Sequence, residues 1–100
     1  MRDYTNFYID GAWVAPLQAR PMAVINPATE HAVGTISIGS AADADRAVLA
    51  ARKAFAAQSV MPVAQRQELL QSVIAVYKRR MDDVALAVSQ EMGAPLEKLA

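Results

Sequence analysis

The run from Val24 to Phe55 constrains the chain most, because its periodicity changes halfway along. Val24-Ile25 and Val33 to Ile38 are β-prone and flank an Asn26-Pro27 turn, where the proline biases Asn26 away from the helical region. Gly39-Ser40 then punctuates the chain, and an alanine-rich stretch with helical spacing runs on to Phe55. Strands followed directly by a helix make this an α+β segment. Chemically the run is quiet. It holds no nucleophile beside a recognisable base and no glycine-rich phosphate loop.

Before it, Phe7-Tyr8-Ile9 and Ala12-Trp13-Val14 are two short β runs separated by Asp10-Gly11. A two-residue Asp-Gly connection suits a type I′ hairpin turn, in which both central residues take positive φ. Alternation puts Phe7, Ile9, Ala12 and Val14 on one face, with Tyr8 and Trp13 on the other. A lone hairpin is marginal in water, so this one should lie on another element. Trp13 reads as a packing aromatic rather than a base-stacking platform, since no basic stripe accompanies it. Ala15 to Pro21 reads as loop and Met22 to Ile25 as strand. In the next strand Ile36 and Ile38 share a face opposite Thr35 and Ser37. Val33 is out of phase with them, and Gly34 marks a candidate bulge.

Ser40 is a good N-cap, and Asp43 three residues on completes a capping-box pattern. Asp43 and Asp45 are placed in the first turn of this helix and Arg52-Lys53 toward its far end, which suits the macrodipole. Ala44, Ala47, Val48, Ala51 and Phe55 form a narrow apolar stripe. Gln58 to Met61 breaks the pattern, and Pro62 fits a first helical position. Leu69, Leu70, Val73, Ile74 and Tyr77 then make a second stripe. Lys78-Arg79-Arg80 followed by Asp82-Asp83 places a break or kink at Arg80 to Asp82, because cations favour helix C-termini and anions N-termini. One unbroken helix to Met92 is the competing reading, since Met81, Val84 and Val88 keep the phase. Gly93 is placed as a left-handed C′ residue before Pro95. Leu96 to Ala100 begin a further helix-prone run that ends without a cap, as if cut inside an element.

Ten basic and ten acidic residues cancel, so no charge footprint points to nucleic acid or anionic membrane. The 54% apolar content argues for a folded chain, and no run reaches membrane-spanning length. The absence of cysteine removes disulfides, thiolate metal sites and a thiol nucleophile from these residues. With no signal-peptide pattern, the chain is expected to be cytoplasmic, with no nucleic-acid or membrane partner. His31, the only histidine, has no carboxylate or second ligand at metal-binding spacing and reads as a solvated surface residue.

Tyr8-Ile9-Asp10-Gly11 with Trp13 resembles the "Y-I-(D/N)-G-x-W" opening of aldehyde dehydrogenases. Asn26-Pro27-Ala28-Thr29 with Gly34-Thr35 resembles their "N-P-A-T-G-E-x-(I/V)-(G/A)" run. The stretches Asp43 to Val48 and Ala50 to Phe55 resemble "D-V-(D/N)-x-A-V-x-A-A-(R/K)-x-A-F". Pro62 with Arg66, Leu69 and Leu70, and then Glu91 to Pro95, resemble "P-x-x-x-R-x-x-(L/I)-L" and "(E/D)-x-G-(K/A)-P". Order and spacing together carry the resemblance. Two positions depart from the pattern. Thr29 runs into Glu30 without the usual glycine, so the turn is expected to be one residue tighter, and Gln58 stands where tryptophan is common.

The resemblance implies an α/β enzyme several times longer than these residues. Residues 1–100 would supply the N-terminal part of its Rossmann-like cofactor domain. The intact chain would oxidise an aldehyde to a carboxylic acid with NAD or NADP, and would be a homo-oligomer. The catalytic cysteine, its oxyanion-hole asparagine, the glutamate base and the coenzyme-contacting lysine lie downstream in that family, so no catalytic or cofactor-binding residue is assigned here. Many members also hold a structural monovalent cation. By resemblance its ligands would be main-chain carbonyls at Val24 and Ile25 and the carboxylate of Glu91, against the alternative of Glu91 as a solvated helix-end carboxylate. The reading from another functional class is a self-contained, non-enzymatic α+β interaction module.

Overall fold

A computed structural model describes residues 2–99. Five strands precede three helices: β1 (Arg2–Tyr4), β2 (Phe7–Ile9), β3 (Ala12–Val14), β4 (Pro21–Ile25), β5 (Ala32–Ser37), α1 (Ala41–Gln58), α2 (Val63–Arg79) and α3 (Met81–Met92). A single 3-10 turn, Leu96–Lys98, follows in place of the further helix expected near Leu96.

The hairpin β2–β3 forms as its turn residues dictate. Asp10 and Gly11 sit at φ 53° and 74°, the two positive values a type I′ turn needs. Tyr8 pairs with Trp13 across the ladder, and their rings meet edge-to-face with centroids 5.2 Å apart. Phe7 and Ile9 turn the other way, toward the start of α1, and the Phe7 ring covers Gly39.

The second sheet has the order β1-β5-β4, with β5 central. β4 runs antiparallel to it, with Val24 opposite Gly34 and Ile25 opposite Ala32, so Val33 is the extra residue of a bulge. The strand covers Ala32–Ser37 rather than Val33 to Ile38, and Pro21 belongs to β4 rather than to the preceding loop.

β1 is the element the sequence did not show. Arg-Asp-Tyr has no β pattern of its own, and these residues become a strand by pairing parallel to Gly34, Thr35 and Ile36. Gly34 also serves that approach. A Cβ there would lie 2.5 Å from the Arg2 carbonyl oxygen.

The Asn26-Pro27 turn is closed by two backbone hydrogen bonds. Asn26 N–H donates to the His31 carbonyl at 2.9 Å, and Glu30 N–H donates to the Asn26 carbonyl at 2.8 Å. Asn26 Oδ1 accepts the Ala28 N–H at 2.9 Å, an Asx turn. Glu30 itself occupies the left-handed region at φ 60°, the conformation that makes glycine the favoured residue at such a position.

Helix α1 starts at a capping box between Ser40 and Asp43. Its first turn holds Asp43 alone, with Asp45 just beyond it. Because the helix continues to Gln58, its last turn carries no basic residue, and Arg52 and Lys53 lie short of it. Pro62 is the N-cap of α2 at ψ 148°, one position earlier than a first helical residue. The break before Asp82 is real. Arg80 leaves the helical region at φ −114° and ψ 12°, Lys78 and Arg79 occupy the last turn of α2, and Asp82 and Asp83 the first turn of α3. This excludes one continuous helix to Met92. Gly93 closes α3 at φ 77°.

Among the described residues only Gly34, Asp43 and Ala85 are buried. Every residue of α2 is exposed, including the stripe Leu69, Leu70, Val73, Ile74 and Tyr77. In α1 the stripe is partly partnered. Ala44 and Ala47 face the hairpin, whereas Val48 and Phe55 are 60% and 58% exposed. The molecule is 15 Å thick in its shortest dimension and 48 Å in its longest, a layer rather than a ball. Its accessible surface is 7893 Å², against about 5,500 Å² for a compact monomer of this mass.

Candidate functional site

The best-built polar cluster centres on Asp43, which is 4% exposed. Its Oδ2 accepts the Ser40 N–H and the Ser40 hydroxyl, each at 3.0 Å, while Ser40 Oγ accepts the Asp43 N–H at 3.2 Å. Its Oδ1 accepts the Leu17 N–H at 3.0 Å and faces Arg46 Nη2 at 3.4 Å. Arg46 Nη2 also donates to the Ala15 carbonyl at 3.1 Å. Hydrogen bonds from the Ser40 and Leu17 amides hold the Asp43 carboxyl below its ordinary pKa, outweighing the opposing effect of burial. Every oxygen of the carboxylate is committed to donors within the fold. The cluster therefore works as a clasp between the loop after β3 and the start of α1. It has no free lone pair aimed at a reacting group.

The sequence indicated the Ser40–Asp43 half of this clasp and missed Leu17, Ala15 and Arg46. The available signal was the Asp43–Arg46 spacing, one helical turn apart on the same face.

His31 is exposed, with Nδ1 2.5 Å from the Thr29 carbonyl oxygen. Among the described residues no three His, Asp or Glu side chains come together to hold a metal ion. Val24 and Ile25 end β4, immediately before the Asn26-Pro27 turn, and Glu91 is exposed in the last turn of α3. The two regions approach each other at Gly93, where an added Cβ would stand 3.1 Å from Pro27 Cγ.

Two of the open concavities have mainly apolar linings. One, of about 450 Å³, lies between the hairpin and α1 against Ile9, Val14, Leu49 and Ala50, with Arg46 and Lys53 at its edge. The other, of about 530 Å³, lies where α2 meets α3 against Val73, Val76, Tyr77 and Val84. Neither contains a nucleophile next to a base. Among the described residues no helix is long and apolar enough to cross a membrane.

Comparison with known proteins supplies what this chemistry does not. The aldehyde dehydrogenase family profile matches residues 13–100. A 3-succinoylsemialdehyde-pyridine dehydrogenase from a Pseudomonas species is 52% identical over the whole chain, which spans 21% of that protein. The crystal structure of an aldehyde dehydrogenase from Bartonella henselae superposes with a TM-score of 0.96 at 37% identity, covering 99% of this chain and 21% of that one. A mutant aldehyde dehydrogenase C from Pseudomonas syringae, in complex with NAD+ and octanal, superposes at 0.92 with 44% identity, covering 95% and 20%. The chain belongs to the aldehyde dehydrogenase family. It spans about a fifth of the length of the relatives it matches.

Proposed function

We propose that these residues are the N-terminal scaffold of an NAD(P)+-dependent aldehyde dehydrogenase, which oxidises a small-molecule aldehyde to the carboxylic acid and assembles as a homo-oligomer. The observation that carries this reading is 52% identity over all 100 residues to a 3-succinoylsemialdehyde-pyridine dehydrogenase. NAD(P)+ would supply the hydride acceptor. No glycine-rich turn of the kind that seats a pyrophosphate occurs in the sequence, and we assign none of these residues to its site. Their role is to supply the hairpin, the small sheet and three helices as one layer of the N-terminal part of the cofactor domain. The uncovered stripes of α1 and α2 support that role, since faces of this kind normally lie against a sheet. A semialdehyde carrying an aromatic ring is the substrate class that the relative's name suggests for this chain.

The experiment is to express the longer protein that carries this segment and follow NADH and NADPH formation. The aldehydes would be octanal, a pyridine-bearing semialdehyde and short aliphatic aldehydes. Aldehyde-dependent reduction of either coenzyme is the expected result. A protein that binds neither coenzyme and oxidises none of the panel would overturn the reading and favour a non-enzymatic module.

We further propose that a monovalent cation is held by the main-chain carbonyls of Val24 and Ile25 with the Glu91 carboxylate. Hard cations take oxygen ligands, and carbonyls supply them whatever the side chain. The contact between Gly93 and Pro27, which draws the end of α3 to the end of β4, supports the grouping. Melting temperatures that differ between sodium, potassium and bulky organic-cation buffers, with the difference lost in Glu91→Gln, are expected. Identical melting in all three would leave Glu91 as a solvated helix-end carboxylate.

A further inference from the structure

We draw no further inference here: the strongest candidate, the apolar groove where α2 meets α3 lined by Val73, Val76, Tyr77 and Val84, carries nothing because nothing in the structure shows what covers it.

Discussion

Asp43 Oδ1 accepts the backbone N–H of Leu17 at 3.0 Å, joining residues 26 positions apart through one carboxylate. The same carboxylate caps α1 through Ser40, so the loop after the hairpin and the start of the helix share an anchor.

This anchor is acid-labile. The Asp43 carboxyl is held below its ordinary pKa by the Ser40 and Leu17 amides. A depressed pKa contributes stability that is fully present above the unfolded-state value and is lost as pH falls through the folded-state value. The folded protein should therefore lose stability as pH falls below the ordinary carboxylate range. Asp43→Asn should be less stable at neutral pH and show a smaller further loss in acid. Urea unfolding across that range compares the two proteins, and parallel curves would remove Asp43 from the explanation.

Ser40 both accepts from and donates to Asp43, which makes its replacement specific. Ser40→Ala should cost about 1 kcal/mol through loss of the cap. Ser40→Asp keeps a good capping acceptor but loses the donated hydroxyl, and sets a second carboxylate against Asp43. It should be worse than alanine here, whereas at most N-termini it would be better. Denaturant midpoints for the two variants give the order.

Glu30 sits at φ 60°, where an L side chain costs roughly 1–2 kcal/mol, while glycine costs roughly 0.5–1 kcal/mol in chain entropy. Glu30→Gly should thus leave stability unchanged or raise it by up to about 1.5 kcal/mol. A clear drop in the melting temperature would show that the Glu30 side chain makes a contact worth more than the strain.

Gly93 carries two constraints, φ 77° and a Pro27 Cγ 3.1 Å from where a Cβ would stand. Gly93→Ala should cost about 1–2 kcal/mol from backbone strain alone. Gly93→Val should cost more, because its branched side chain also meets Pro27. Equal unfolding midpoints for the two variants would mean that the Pro27 contact yields freely.

What the sequence revealed and what it hid follow from the range of the interactions. The hairpin turn at Asp10-Gly11, the Ser40 cap, the break at Arg80 and the αL end at Gly93 are set by residues close along the chain, and each was legible. Strand β1 was not, because Arg2–Tyr4 are extended only through the partner strand β5. The second purpose of Gly34, to admit the Arg2 backbone, was hidden for the same reason. The Asp43 clasp was half legible, its local half. The positive φ of Glu30 was not legible because it is a conformation this residue type seldom adopts. No catalytic site was read from the sequence, because Ser40 and Asp43, a hydroxyl and a carboxylate close along the chain, form a helix cap. The proposed cation ligands rest on resemblance, not on spacing.

As proposed, these residues are one layer of a larger protein and not a module that stands alone. Only three described residues are buried, and the α2 stripe from Leu69 to Tyr77 is at least half exposed at every position. Surface of this kind should drive association or a loosely packed state when nothing lies on it. The direct measurement is the near-UV circular dichroism of purified residues 1–100 during thermal unfolding, with Trp13 and the tyrosines as reporters. The account predicts a weak spectrum that fades without a cooperative transition. An intense spectrum lost in one sharp transition, independent of protein concentration, would contradict it.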